Sequence, residues 1–271
     1  MKEYLSYVAI GDSLSEGLGD RGFNQDRSHC GWTDRLATLL SIQASENGHG
    51  FHFANLAIRG SGAKTILGQQ LTEALNLKPD LVTIMAGAND FSAKRKRRGE
   101  IADLLEAGLA RLREAGVTVV IANTIYPRHL RVFKPLLKRS AALTQIIEGL
   151  AAQFNVPILD VHRIDQLSGI DYWAQDMVHF SSHGHIMVAN RAAELLGLNL
   201  RWAEVHPSEL KHQKRSLHET LLWIGRDVAP FVSRWLRRTT SGVGILPKYS
   251  NLVEFSPREQ DLTSLRQSIA A

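Results

Sequence analysis

Five short apolar runs recur along the first part of the chain. Each is four to seven residues long, contains β-branched or aromatic residues, and is followed within two residues by a glycine or a polar residue. They cover residues 7–10, 51–57, 81–86, 117–122 and 156–161. Runs of this length and composition are typical of buried β-strands.

Amphipathic segments with helical periodicity alternate with these runs. They cover residues 30–40, 65–77, 100–115, 135–154 and 184–196. In the first segment, Trp32, Leu36 and Leu39 lie near one helix face. Strands that alternate with helices favour a parallel sheet covered on both faces. The pattern therefore predicts an α/β fold, namely a three-layer α/β/α domain with a five-stranded parallel sheet.

The pattern changes beyond about residue 200. Residues 209–223 and 227–238 have the composition of charged helices, and residues 239–256 are punctuated by glycine, proline and serine. Residues 201–271 contain 11 Lys/Arg and 7 Asp/Glu, and so hold most of the net charge of +5. We expect one domain at 1–200 and a basic helical appendage at 201–271, packed on that domain or extending from it.

Composition and cysteine content narrow the class of protein. The 271 residues include 44% hydrophobic and 22% charged residues, which is ordinary for a globular protein. The single cysteine, Cys30, excludes an internal disulfide and a cysteine-based metal cluster. The amino terminus lacks the apolar core of a signal peptide, and no stretch approaches the roughly 18 apolar residues of a membrane-spanning helix. We therefore expect a cytoplasmic protein.

Candidate catalytic side chains follow the predicted strands. Ser13 lies just after the first run, in the stretch GDSLSEG at residues 11–17. A serine hydroxyl is a weak nucleophile unless a base removes its proton. Asp176 and His179 lie after the fifth run, and a spacing of three places two residues on one face of a helical turn. The carboxylate can then hold the imidazole Nδ1–H and leave Nε2 as the base.

Two further positions supply hydrogen-bond donors. Asn89 follows the third run and carries a side-chain amide. Gly60 follows the second run, and because it has no side chain its backbone N–H can be approached closely. Together with the backbone N–H of Ser13, these groups make three donors for the oxyanion of a tetrahedral intermediate.

These blocks together resemble the SGNH, or GDSL-type, hydrolase family. The similarity covers roughly residues 5–197 and is carried by GDSL at 11–14, Gly60, GAND at 87–90 and DMVH at 176–179. The four letters of the family name fall on Ser13, Gly60, Asn89 and His179. The resemblance implies a flavodoxin-like fold and an esterase or lipase-like activity through an acyl-serine. Residues 11–15 are not the G-x-S-x-G elbow of α/β-hydrolases, because the last position is serine.

We therefore expect a serine hydrolase that cleaves carboxylic esters or thioesters with short-to-medium acyl chains. Ser13, Asp176 and His179 are the expected catalytic residues, and Ser13, Gly60 and Asn89 form the expected oxyanion hole. The expected partner is a small-molecule ester. An acyltransferase that uses the same site is the first alternative, because an alcohol can replace water as the acyl acceptor.

No metal or cofactor is expected for this chemistry. His183 and His185 lie near His179, but there is no cysteine beside them and Asp176 is the only carboxylate close in sequence. We expect His185, at the start of an apolar helix, to be structural, and Cys30 to be buried.

Two basic features suggest further contacts. Five consecutive basic residues follow the Asn89 block: Lys94, Arg95, Lys96, Arg97 and Arg98. Such a run is usually a solvated loop, but at this place it can border the pocket and attract an anionic substrate or surface. In the tail, Arg234, Trp235, Arg237 and Arg238 can contact an anionic membrane or pack across the domain.

Two kinds of protein other than a hydrolase are suggested by parts of the sequence. A dinucleotide-binding protein is suggested by GLGDRG at 17–22, with Arg59 facing a 2′-phosphate. Its first glycine, however, lies seven residues beyond the first run, and the second run ends without an acidic residue. A non-catalytic basic protein that binds nucleic acid or membrane is allowed by the charge. It gives no reason for Ser13, Asn89 and the Asp176–His179 pair to occur together, so we expect no nucleic-acid partner.

Overall fold

The computed structural model describes the greater part of the chain. The described residues are 2–20, 29–90, 95–123, 134–205, 225–226, 242, 244–257, 262 and 265. The helices predicted at 209–223 and 227–238, with the basic residues at 234–238, lie outside these ranges. No helix within the described ranges combines the length and the apolar character needed to cross a bilayer.

A six-stranded sheet forms the middle layer. Its strands are β1 (Ser6–Gly11), β2 (His52–Asn55), β3 (Leu81–Met85), β4 (Thr118–Ala122), β5 (Ile158–Leu159) and β6 (Tyr249–Glu254). The order across the sheet is β5-β4-β3-β1-β2-β6, and β1 to β5 run parallel. The carboxyl ends of β1, β2 and β3 therefore lie side by side, at the edge where open α/β sheets bind ligands. The five predicted parallel strands are confirmed.

Helices cover both faces of the sheet. They are α1 (Ser13–Glu16), α2 (Trp32–Glu46), α3 (Ala63–Thr65), a π-helical turn (Ile66–Gln70), α4 (Leu71–Asn76), α5 (Arg95–Glu114), α6 (Lys134–Phe154) and α7 (Ser182–Leu195). Side chains alternate along β1, so Tyr7 and Ala9 join the core with α2 and α7, whereas Val8 and Ile10 join the core with α4, α5 and α6. Burial on both faces explains why the strand runs are apolar throughout. The predicted three-layer fold is confirmed.

Two strands end earlier than predicted, each at a polar residue whose side chain bonds to the backbone that follows. β2 ends at Asn55, whose Oδ1 accepts from the backbone N–H of Ala57 at 3.1 Å. β5 ends before Asp160, whose side chain accepts from the backbone N–H of Arg163 and starts a 3₁₀ turn. Such local competition between side chain and ladder is typical of Asn and Asp.

The sixth strand comes from the tail. The composition of residues 239–256 predicts no strand, but Tyr249–Glu254 pairs antiparallel with β2. The rings of Tyr249 and Phe255 pack on Phe53 at centroid distances of 5.8 and 5.3 Å, and Lys248 Nζ donates to Asp34 Oδ1 at 2.7 Å. Pairing and tertiary contacts, which apolar periodicity does not report, define this strand. The domain boundary near residue 200, the cytoplasmic location and any membrane contact of the tail stay predictions.

Candidate active site

Ser13 lies where β1 turns into α1. Asp12 caps this short helix, and its Oδ1 accepts from the backbone N–H of Leu14 at 3.1 Å. A Cβ added to Gly11 would lie 2.5 Å from Ser15 Oγ, so the close approach of the helix to the strand end requires a glycine there. The capped turn places Ser13, half-buried, at the carboxyl end of a central strand.

The structure brings Ser13, His179 and Asp176 into one hydrogen-bonded series. His179 Nε2 lies 2.9 Å from Ser13 Oγ, across 166 positions of sequence. His179 Nδ1 lies 2.6 Å from Asp176 Oδ2. With Nδ1–H donated to the carboxylate, Nε2 carries no proton and can accept the one on the serine hydroxyl. The predicted convergence of these three side chains is therefore present.

A turn capped by the Asp176 side chain places Asp176 and His179 next to each other. Asp176 Oδ1 accepts from the backbone N–H groups of Val178 and His179, each at 3.0 Å, and Met177 between them has a φ of 63°. The expectation of a shared helical face is wrong, because residues 176–179 are not helical. A side-chain turn of this kind, common for aspartate, lets Oδ1 shape the backbone while Oδ2 orients the imidazole.

The environment of Asp176 keeps its carboxylate ionised. Burial raises the pKa of this carboxyl, but the hydrogen bond from His179, the positive charge of His179 and the backbone donors outweigh burial and hold the pKa at about 2. At neutral pH the carboxylate can therefore stabilise an imidazolium at His179.

The three predicted oxyanion-hole residues are joined through their neighbours. Asn89 Nδ2 donates to Asp12 Oδ2 at 3.1 Å and to the backbone oxygen of Ser61 at 3.0 Å. Asp12 precedes Ser13 and Ser61 follows Gly60, so Asn89 connects the two other loops. Among the described residues, no acceptor takes the backbone N–H of Ser13 or of Gly60. These two N–H groups are available to a ligand.

Asp12 is a buried carboxyl next to the serine. Burial raises the pKa of Asp12 to about 6, although the backbone N–H of Leu14 and the charge of His179 act in the opposite direction. Above this pKa the ionised carboxylate accepts the hydrogen bond from Asn89.

Replacing Asp12 by asparagine is expected to change the pH dependence of stability. Because the pKa of Asp12 rises from 3.8 to about 6 on folding, the native state binds more protons than the unfolded state between those values. The contribution of Asp12 to stability therefore falls as pH rises from about 4 to about 6. Asp12→Asn removes this titration, so its free energy of unfolding should increase relative to wild type over that interval. Urea unfolding at several pH values measures it, and a constant difference contradicts the raised pKa.

Glu16 was missed by the sequence analysis, and it fixes the turn before Gly60. Glu16 Oε2 accepts from the backbone N–H of Arg59 at 2.7 Å, and its carboxylate pairs with the Arg59 guanidinium. The pair connects the helix of Ser13 with the loop of Gly60. It also occupies the guanidinium that a dinucleotide-binding protein would direct at a 2′-phosphate. No pattern in the sequence pairs residues 43 positions apart.

His185 is a buried structural residue, as predicted. Its Nδ1 accepts from the backbone N–H of Trp32 at 3.1 Å, and its Nε2 donates to the backbone oxygen of Leu18 at 3.0 Å. Burial lowers the pKa of His185 to about 3, so the ring stays neutral. Cys30 is buried, as predicted. The described residues contain no group of three or more His, Cys, Asp or Glu placed to hold a metal ion.

Replacing Gly19 by alanine is expected to displace His179. Gly19 has a φ of 97°, and an added Cβ would lie 2.3 Å from the backbone oxygen of Phe180 and 2.9 Å from His179 Cβ. We expect kcat for ester hydrolysis to fall about 10- to 100-fold, the size of effect that follows from a catalytic group moved by about 1 Å.

The control for this prediction is Gly48→Ala. Gly48 has a φ of 81°, but an added Cβ meets nothing within 4 Å. It therefore carries a comparable backbone strain without the clash, and kcat should stay unchanged. Steady-state kinetics and thermal denaturation on both variants measure the two effects. Equal kcat values for the two variants contradict the role of Gly19.

The basic run lies mainly in a helix and not in a loop. α5 begins at Arg95, and the Arg97 guanidinium donates to Asp90 Oδ1 at 3.2 and 3.3 Å. The loop expectation is therefore wrong for residues 95–98, whereas Lys94 lies outside the described residues. Part of this charge holds the buried Asp90, next to Asn89, in place. Attraction of an anionic substrate by the run stays a prediction.

Fold and site together define the class of the protein, an α/β enzyme of the SGNH hydrolase type. Residues 9–186 match the model of the GDSL-like Lipase/Acylhydrolase family, and the chain belongs to that family. The protein is therefore a carboxylic ester hydrolase. None of the curated proteins matches the chain.

Solved structures share the fold. An alpha/beta hydrolase enzyme from the metagenome of Lake Arreo, Spain, is 19% identical with a TM-score of 0.60, over 73% of this chain and 97% of that one. A tryptophan variant of Axe2, an acetyl xylan esterase from Geobacillus stearothermophilus, is 18% identical with a TM-score of 0.58, over 76% of this chain and 98% of that one. A catalytic mutant of the same esterase is 17% identical with a TM-score of 0.59, over 73% of this chain and 96% of that one. At these identities the likeness shows the fold alone.

Proposed function

We propose that the protein cleaves carboxylic esters through an acyl-serine intermediate, with Ser13, His179 and Asp176 as its catalytic residues. One observation carries the proposal: the unbroken series from Ser13 Oγ through His179 to Asp176, with contacts of 2.9 and 2.6 Å. Catalytic mutants of the Geobacillus esterase replace a serine, an aspartate or a histidine, the last two being three positions apart. Asp176 and His179 have the same spacing, which supports the assignment.

The proposed reaction has two halves. In the first, Ser13 Oγ bonds to the acyl carbon, its proton moves to His179 Nε2, and the carbonyl electron pair moves to oxygen. The tetrahedral intermediate then breaks its bond to the alkoxy oxygen, which takes the proton from the imidazolium and leaves as the alcohol. In the second half, water gives a proton to His179 Nε2 as its oxygen bonds to the acyl carbon. The bond from that carbon to Ser13 Oγ then breaks, Oγ takes the proton back from the imidazolium, and the acid leaves. Asp176 holds the imidazole and stabilises its charged form.

Three N–H groups are proposed to bind the oxyanion. The backbone donors of Ser13 and Gly60 have no acceptor among the described residues. The amide of Asn89 already donates to Asp12 and to Ser61. These two bonds fix the plane of the amide before a substrate binds, and the oxyanion shares one of its N–H groups. Donors fixed in advance in this way are the most effective kind of electrostatic catalysis.

The proposed substrates are small esters with short-to-medium acyl chains, acetyl esters among them. The acetyl xylan esterases that share the fold support this choice. The side chains of His179 and Asp176 are 19% and 30% exposed. The imidazole is therefore open to solvent, and water can reach it in the second half of the reaction.

A chain-length series tests the proposed function. We expect kcat/KM on p-nitrophenyl esters, from acetate to laurate, to be highest at short-to-medium chains. A maximum at the longest chain contradicts the chain-length assignment, and no turnover of any ester contradicts the function. Product analysis with added methanol separates the two acyl acceptors. Free acid as the main product supports a hydrolase, whereas a predominance of methyl ester supports an acyltransferase.

A further inference from the structure

Gln70 is a polar residue on the buried side of its helix. It ends the π-helical turn at Ile66–Gln70 and is 2% exposed. Its neighbours along that side are the buried apolar residues Ile66, Leu67, Leu71 and Ala74. A buried amide is costly unless it is hydrogen-bonded, and π-helical turns occur frequently at functional sites. The hydrogen bonds of Gln70 therefore decide what the residue does.

The Gln70 amide holds the end of β1 and the loop after Gly60. Its Oε1 accepts from the backbone N–H of Gly11 at 2.8 Å, and its Nε2 donates to the backbone oxygen of Gly11 at 3.1 Å. Nε2 also donates to Ser61 Oγ at 3.3 Å. One side chain thus binds both backbone groups of the residue two positions before Ser13 and the residue that follows Gly60.

These contacts close a ring of hydrogen bonds. The backbone oxygen of Ser61 accepts from Asn89 Nδ2 at 3.0 Å, and the same Nδ2 donates to Asp12 Oδ2 at 3.1 Å. Asp12 follows Gly11 in the chain, so the ring returns to Gln70. Gln70, Ser61 and Asp12 are buried, and Asn89 is half-buried. Low exposure strengthens such a network and makes each missing member costly.

We propose that Gln70 is a positioning residue for the oxyanion hole. The inference rests on the proposed function, because it assigns to Gln70 the relative placement of the donors at Ser13, Gly60 and Asn89. Each donor is a member of the ring or the chain neighbour of one, so the ring sets the distances between the three loops. Gln70 itself does not touch the substrate. It acts by holding N–H groups where negative charge develops in the transition state.

A purely structural Gln70 predicts a different result. If the amide only satisfied the backbone of Gly11, its loss would lower stability and leave the kinetic constants of the folded enzyme unchanged. A positioning role predicts a lower kcat with a nearly unchanged KM, because the ring acts on donors used in the transition state.

The first experiment replaces Gln70 and its neighbour by leucine. Gln70→Leu is expected to lower kcat for p-nitrophenyl acetate about 10- to 100-fold, the effect of donors misplaced by about 1 Å, with KM little changed. Gln69→Leu is the matched control, because Gln69 lies in the same π-helical turn but is exposed and donates only to Glu73 Oε1, at 3.0 Å. Its kcat should equal that of wild type. Equal kcat values for all three folded proteins overturn the proposal.

A second variant keeps the proposal testable if Gln70→Leu does not fold. In Gln70→Glu, a protonated carboxyl can still donate to the backbone oxygen of Gly11, whereas an ionised carboxylate repels that oxygen. The ratio of kcat in the variant to kcat in wild type should therefore fall as pH rises through the pKa of the introduced carboxyl, which burial raises. Gln69→Glu should give a ratio independent of pH. A flat ratio for Gln70→Glu overturns the proposal.

Ser13→Ala separates this inference from the proposed function. If Ser13→Ala loses activity while the Gln70 variants keep the wild-type kcat, only the positioning role fails. If Ser13→Ala retains activity, the proposed function fails and the inference fails with it.

Discussion

Ser13→Ala is expected to lower kcat for p-nitrophenyl ester hydrolysis by several orders of magnitude, up to about 10⁶-fold by analogy with other serine triads. The variant lacks the Oγ that lies 2.9 Å from His179 Nε2, so no acyl-serine can form. Rate enhancement beyond the uncatalysed reaction is then limited to the N–H donors and substrate binding.

The measurement combines steady-state kinetics with a folding check. Thermal denaturation should show a wild-type fold, because the hydroxyl is half-buried and its removal leaves no large cavity. Ser168→Ala is the matched control, since Ser168 is exposed and its Oγ donates only to the backbone oxygen of Asp165. Retention of a tenth or more of the wild-type kcat by Ser13→Ala would falsify the acyl-serine mechanism.

Asp176→Asn is expected to give the second largest loss, about 10⁴-fold in kcat, the size known for the same change in another serine triad. The carboxylate accepts His179 Nδ1–H at 2.6 Å and thereby leaves Nε2 unprotonated. An amide that presents its N–H to Nδ1 selects the other tautomer, in which Nε2 holds the proton and cannot act as a base. The defect lies in the protonation of the ring and not in its position.

Two features make this second prediction specific. The asparagine Oδ1 can still accept from the backbone of Val178 and His179, so the turn and the thermal stability should be largely kept. Because the pKa of Asp176 is held at about 2, the wild-type carboxylate is ionised at neutral and alkaline pH. The asparagine amide does not ionise in this range, so raising the pH should not restore the activity of the variant. Asp165→Asn, at an exposed carboxylate outside the site, is the control. A wild-type kcat in Asp176→Asn contradicts the role assigned to the carboxylate.

Much of the central sheet could be predicted from local pattern. The apolar runs at 7–10, 81–86 and 117–122 became β1, β3 and β4 with boundaries shifted by one residue. Strands buried on both faces leave a continuous apolar signature, which a sequence displays directly. β6 left no such signature, because it is an edge strand whose residues are mostly exposed and whose partner lies nearly 200 positions earlier in the chain.

The candidate site was predictable in its residue types but not in its supports. Ser13, Asn89 and the Asp176–His179 pair each follow a strand run, and parallel strands bring their carboxyl ends to one edge. The supporting residues Glu16 and Gln70 are single polar residues whose function depends on partners far away in sequence. Glu16 accepts from Arg59 across 43 positions, and Gln70 holds Gly11 across 59. A lone glutamate or glutamine carries no sign of its partner.

Local sequence pattern is enough for the alternation of strands and helices and for the hydrolase family, because both follow from short-range periodicity and from motifs of a few residues. The same motifs predict Ser13, Gly60, Asn89 and His179 as site residues. The folded chain is needed for the capped turn that directs His179 at Ser13, for the antiparallel strand added by the tail, and for the ring of hydrogen bonds through Gln70. Each of these features depends on hydrogen bonds between distant residues, and the folded backbone is what brings their atoms within about 3 Å.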